Sequence, residues 1–206
     1  MLTIHTADEL RYGWADDFGV GSDEDFDDDF GVGSDEDFDE DFGVGSDEDF
    51  DDGSDDNADV DSDDGPGIDS EPVKNGAVAV EAGRVVGTGT LAEVQERFPG
   101  ARVRRWPGVL GPALLHQGPL PNAPTPRERI HEVLKLGATA VMEEHADTPE
   151  LRSAAARNDV VVVPRDTTVR RRTALIGTGR ADLAVFDGTG ACIATVCAGR
   201  LVHRRR

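Results

Sequence analysis

Between Gly76 and Gly89 the chain reads "GAVAVEAGRVVGTG", two short apolar runs broken at Ala82-Gly83. Such runs, bounded by turn residues, predict two strands joined as a hairpin. Thr90 and Glu93 follow at the spacing of a capping box, predicting a helix that carries Val94 and Phe98 and closes before Gly100. "ARVRRW" is a further strand. Thr125, Pro126 and Glu128 open a second helix, with Ile130, Val133 and Leu134 on one face and Gly137 as its stop. "TAVME" reads as a strand, and Thr148-Pro149 begins a third helix bearing Leu151, Ala154 and Ala155. "DVVVVP" is a continuous apolar run of the kind buried in parallel sheets, so Arg127 to Val163 reads as α-β-α-β. Three β-type segments follow, "ADLAVFD", "ACIATVC" and "RLVHR", parted by glycine-containing turns. The expected fold class is mixed α/β.

The pattern fails between the opening stretch "MLTIHTADEL" and Pro72. "GVGSDEDFDDDF" starts at Gly19, "GVGSDEDFDEDF" at Gly31, and a third, partial copy at Gly43. Phe26 and Phe30 fall at helical i,i+4 spacing, but so do the like-charged pairs Asp23/Asp27 and Asp25/Asp29. The charge predicts a disordered low-complexity insertion over 16–71. Alternation of acids with Phe also resembles disordered segments that dock aromatic residues into partner grooves. A calcium loop of the D-x-[DN]-x-[DN]-G type is not formed. After Asp59, Asp61 and Asp63 the glycine, Gly65, comes one place late, and Ser70 stands where the last Glu belongs.

The formal charge of −21 hides this division. From Asp16 to Glu71 there are 27 Asp and Glu and no base, leaving 15 acids beside all 21 Lys and Arg, a net of +6. Arginines cluster at 170–172 and 204–206, yet no zinc finger, RNA-recognition motif or aromatic stacking set accompanies them. A tethered polyanion competes for the same cations, so no nucleic-acid partner is expected. No apolar run approaches the ~20 residues of a membrane span, and the first residues lack the features of a signal peptide. Cys192 and Cys197, five apart on one strand, point to opposite faces and do not pair. Two free thiols and no membrane segment lead to an expected cytoplasmic location. "GTGTLAE" and "GTGRADLA" lack both G-x-G-x-x-G and a Walker lysine. Neither Ser153 nor the cysteines have the base and orienting acid that nucleophilic catalysis needs.

"GAVAVEAGRVVGTGTLAEVQERFPGARVRRWPGVLGPALL" resembles the N-terminal stretch of amidohydrolase-superfamily enzymes, nearest the imidazolonepropionase-like proteins and aminodeoxyfutalosine deaminases. "IGTGRADLAVFDGTGACIATVCAGRLVHR" is similar to their C-terminal segment, and "MLTIHTAD" to their first strand. The resemblance implies a composite β-sandwich built from 1–15, 72–110 and 177–206, with the acidic block standing in place of a short loop. It implies a barrel portion over 111–176. Family chemistry uses a His-x-His on the first barrel strand and later histidines and an Asp to hold a metal that activates water.

The departures from that pattern are large. The family's "PGLVNAHTH" aligns with "PALLHQGPL", which puts Gly118 and Leu120 at the two metal-histidine positions. His116 falls on the family's Asn and is the one metal-ligand candidate. Pro107 to Ile176 offers 70 positions, whereas a (β/α)8 barrel needs roughly 200 or more. The expectation is a truncated, catalytically inactive relative that acts by binding or assembly, with a protein partner or as a homo-oligomer, and without a cofactor. Glu143, Glu144 and His145 form the one acid–imidazole cluster at a strand end and are the catalytic candidates. Two alternatives stand beside this. One is a zinc-dependent hydrolase of non-peptide C–N bonds, completed by a partner subunit. The other is an acidic interaction module on a sandwich carrier.

Overall fold

In the computed structural model, residues 1–14, 70–164, 175 and 179–205 are described. The acidic repeats, the Asp59–Asp63 run and the arginines at 170–172 lie outside them. The strands and helices follow the sequence pattern closely. β1 (Thr3–Thr6), β2 (Glu9–Leu10), β3 (Val73–Lys74), β4 (Gly76–Glu81) and β5 (Arg84–Thr90) lead into α1 (Leu91–Arg97). β6 (Arg102–Arg105), β7 (Val109–Pro112) and β8 (Leu114–His116) precede α2 (Pro126–Lys135) and β9 (Ala138–Met142). α3 (Pro149–Arg157), β10 (Val161–Val163), β11 (Leu183–Phe186), β12 (Cys192–Cys197) and β13 (Arg200–Arg204) complete the described elements.

Both capping boxes form. Thr90 and Thr125 accept from the backbone N–H of Glu93 and Glu128, and each glutamate reaches back to the N–H of its capping residue. Two of the donors left over at each helix start are thereby satisfied. Thr148 caps α3 in the same way, without the reciprocal glutamate. The apolar faces expected of α2 and α3 are the faces buried.

The strands make three sheets among the described residues. The first has the order β5-β4-β1-β6, with β1 antiparallel to β4 and parallel to β6. The second has the order β13-β12-β11-β7-β2-β3 and takes strands from both ends of the sequence. These two sheets pack face to face: Val78, Val80 and Val85 of the first share one cluster with Leu10, Leu110, Leu183, Val185 and Val196 of the second. The outer face of the first sheet is covered by α1, through Ile4, Ala77, Ala79 and Val94.

The third sheet is parallel, order β10-β9-β8, and packs with α2 and α3 around Ile130, Val133, Leu134, Val141 and Leu151. One expectation is corrected here. "DVVVVP" forms the edge strand β10 rather than a strand covered on both sides, and Val161 is 40% exposed. An apolar run of this length fits a central or an edge strand equally, and periodicity does not separate them. No helix among the described residues is long and apolar enough to cross a membrane.

Candidate functional site

β8 and β9 run parallel with His116 opposite Val141, so their C-terminal ends finish side by side. The chain leaves β9 in a 3-10 turn, Glu143–His145. That topology brings His116, Glu143, Glu144 and His145 to one end of one sheet. The sequence reading named all four, though it did not place them together.

Their bonds show what they do. The Nε2–H of His145 donates to the carbonyl of Gln117 at 2.9 Å, and that of His116 donates to the carbonyl of Pro119 at 3.0 Å. A carbonyl only accepts, so both rings must carry a proton on Nε2. Two imidazoles thus fasten the loop 117–119 from its two sides. Glu144 Oε1 lies 3.4 Å from His145 Nε2. Glu143 Oε1 lies 3.5 Å from Nη2 of Arg152 on α3, whose Nε donates to the carbonyl of Ala146. The Glu143–Arg152 pair is about half exposed, where an ion pair contributes under about 1 kcal/mol.

A water-activating metal needs at least three protein ligands converging on one point. No group of three or more His, Cys, Asp or Glu among the described residues converges in that way. Leu120, at the second position matched to a metal histidine, is buried in the core beneath α2 and α3. Gly118, at the first, carries no donor side chain. The described residues at these positions do not fit a zinc ion.

An open cleft of about 440 Å³ lies elsewhere, lined by Thr125, Arg127, Glu128, His131 and Asn158. It includes none of the four candidates, and two of its lining residues, Thr125 and Glu128, are engaged in capping α2.

The two cysteines are free and belong to different clusters, Cys192 beside Trp14 and Phe186, Cys197 beneath α3. The expected opposite facing is corrected: the register shifts at Phe186, so that Cys192 pairs with Phe186. Its Sγ lies 3.4 Å from the Thr195 hydroxyl, which donates to the carbonyl of Leu134 on α2, and both thiols face the helix side of the sheet. Burial, and then the nearby Asp182, push the Cys197 thiol up to about 11. A thiol held protonated in this way is a poor nucleophile.

The sequence reading missed one buried polar pair. His5, in the middle of β1, is fully buried and meets Trp106 just past β6. A histidine in an otherwise apolar strand, with only two tryptophans in the chain, was the available signal.

Residues 76–101 match the model of the imidazolonepropionase-like composite domain of bacteria. No curated protein sequence matches the chain. Among solved structures, ochratoxinase of A. niger is similar at 14% identity and a TM-score of 0.42, over 79% of this chain and 30% of that one. E. coli guanine deaminase is similar at 16% identity and a TM-score of 0.34, over 46% of this chain and 29% of that one. Helicobacter pylori aminofutalosine deaminase is similar at 11% identity and 0.35, over 68% and 27%. The chain spans less than a third of the length of each. The hairpin β4–β5 and helix α1 are thus the part of this chain that is similar to the imidazolonepropionase-like composite domain.

Proposed function

We propose that this chain is a non-catalytic amidohydrolase-like protein that acts by binding or assembly. In this reading 1–15, 72–110 and 177–206 form a composite β-sandwich, 111–176 is a short remnant of a barrel, and 16–71 is an acidic disordered insertion. The working location is the cytoplasm, and the partner is a protein.

The observation that supports it best is the state of the residues at the strand ends. Where family chemistry needs histidines on an open metal, Leu120 is in the core, and His116 and His145 use their Nε2 protons on loop carbonyls. Catalysis by activated water loses its several kcal/mol of barrier lowering when the ligand set is gone.

The test is purification without a histidine tag, elemental analysis, and assays on imidazolone-type and aminopurine-type substrates with added zinc. Substoichiometric metal and background rates are expected. Stoichiometric zinc with turnover would replace this reading by a zinc-dependent hydrolase of non-peptide C–N bonds.

A further inference from the structure

β6 closes one side of the first sheet: β1 is its neighbour, and no strand lies beyond it among the described residues. The N–H of Arg102 donates to Leu2 and that of Trp106 to Thr6, at 3.3 and 2.9 Å. In a parallel ladder alternate residues face alternate neighbours. Arg102 and Arg104 therefore direct their backbone groups at β1, while Val103 and Arg105 turn theirs outward. An edge of this kind is a template for another strand.

Side chains decide which strand. Three of the four residues of β6 are arginine, and none of Arg102, Arg104 and Arg105 is in an ion pair among the described residues. Arg102 and Arg105 are exposed. From β13, Arg204 places its guanidinium carbon 5.7 Å from the centre of the Trp106 ring, adding a fourth cation beside the same edge. Two copies of this edge would set like charges opposite each other, which opposes pairing of β6 with itself. An acidic strand meets the opposite sign. At the N-terminal end of β6 an open cleft of about 310 Å³, lined by Leu2, Pro99, Gly100 and Arg102 among others, leaves room for a side chain of the incoming segment.

We propose that the β6 edge is a docking site for an extended acidic segment of a protein partner. The segment adds as a strand, bonded through the main chain of Val103 and Arg105, with its carboxylates set against Arg102, Arg104 and Arg105. The inference rests on the binding role proposed above and supplies the chemistry of the partner.

The probe is a fluorescein-labelled peptide of strand length built from Glu-Glu-Val repeats, titrated with the full chain at low salt and followed by anisotropy. Its carboxylates lie on both faces, toward Arg102 and Arg104 on one and Arg105 on the other. Saturable binding is expected. Methylating the peptide's backbone nitrogens should weaken it about tenfold or more, because ladder bonds and not charge alone hold it. The double variant Arg102→Glu/Arg105→Glu should lose it to a similar degree, and a Lys/Val peptide should not bind. Thermal melts report whether the variant folds, and Arg102→Gln/Arg105→Gln carries the test if it does not. Equal binding of the methylated peptide, or undiminished binding by folded variants, would overturn the proposal. So would sedimentation showing an Arg102- and Arg105-dependent dimer without peptide, which would make a second copy the occupant, or binding that appears only when 16–71 is deleted, which would make this chain's own acidic segment the occupant. Zinc and turnover are read on the same samples, so loss of the non-catalytic reading and loss of this site are separate results.

Discussion

The indole N–H of Trp106 donates to Nδ1 of His5 across 3.3 Å, joining residues 101 apart in the sequence. The two rings lie within 8° of parallel with centroids 6.2 Å apart. Accepting at Nδ1 fixes the neutral ring with its proton on Nε2. Burial first, and then the Arg104 guanidinium on the neighbouring strand, bring the His5 pKa down to about 4. The pair ties β1 to the exit from β6 with a polar bond inside the packed sheets.

That bond predicts an acid-sensitive fold. Between pH 6.5 and about 4 the unfolded chain binds a proton at His5 that the folded chain does not, so stability rises with pH across this window. Acidifying through it should cost up to about 3 kcal/mol from this group alone. His5→Gln keeps an acceptor for Trp106 and removes the titration. Its melting temperature should therefore fall less steeply from pH 7 to pH 4 than that of the parent. Parallel curves for the two proteins would show that His5 is not the group responsible.

Gly111 should not tolerate a side chain. A Cβ there would sit 2.5 Å from Cζ2 of Trp14, whose ring is pinned by donation from Nε1 to the carbonyl of Pro112 at 2.7 Å. The ring also meets Phe186 edge-on. Neither neighbour can move without losing contact, so Gly111→Ala should destabilise by about 1–3 kcal/mol. Urea unfolding measures it. The cost should shrink in the background of Trp14→Phe, and an equal cost in both backgrounds would place the strain elsewhere.

Local grammar explains why much of this fold was readable. Capping boxes at Thr90 and Thr125 are complete within four residues, and the helix faces repeat within eleven. What was not readable is non-local. β2 and β3 are two residues each and depend on distant partners: Glu9 and Leu10 pair with Lys74 and Val73 on one side and with Val109 and Leu110 on the other. The same holds for the site. His116 and Glu143–His145 were each legible as candidates, but their meeting depends on the register of β8 against β9, and the fastening of 117–119 depends on backbone carbonyls that no residue pattern encodes. His5 was visible as a letter, while its partner is a hundred residues away.

The N-terminal and C-terminal segments should fold only together. Ile4 is fully buried, and β11 to β13 supply half of the six-stranded sheet, with β11 bonded directly to β7. Ile4→Asp places an unpaired charge beneath α1, on the outer face of the first sheet, and should cost several kcal/mol. Removing 180–206 should abolish cooperative unfolding, because the inner face of the first sheet loses its cover. A soluble fragment 1–179 with a sharp thermal transition would contradict this.

The thiols should behave as core groups. With the Cys197 thiol up at about 11, roughly one molecule in a thousand holds the thiolate at pH 8. Burial also raises the pKa of Cys192, which is less covered. Alkylation of the native protein at pH 8 should therefore modify Cys192 first, and Cys197 at a rate set by opening of the fold. Equal, rapid labelling of both would show that α3 does not cover Cys197 in solution.

The last prediction concerns the strand-end cluster itself. If His145 is a loop fastener, His145→Ala should free the Gln117 carbonyl and lower stability by about 1 kcal/mol, the ordinary net value of one hydrogen bond. Exchange of the Gly118 amide should speed up, because the loop it sits in has lost one of its two ties. His116→Ala should act in the same direction through Pro119, and the double variant should exceed either alone. Glu143→Gln should do little, since its partner Arg152 keeps the bond to Ala146 and the ion pair is exposed. A metal ligand would behave differently: His145→Ala would abolish bound zinc and turnover together, and Glu143→Gln would stop turnover with the metal retained. Fast loop exchange with unchanged metal content supports the fastener role, whereas zinc lost in step with activity would show a working site where the bonds indicate a structural one.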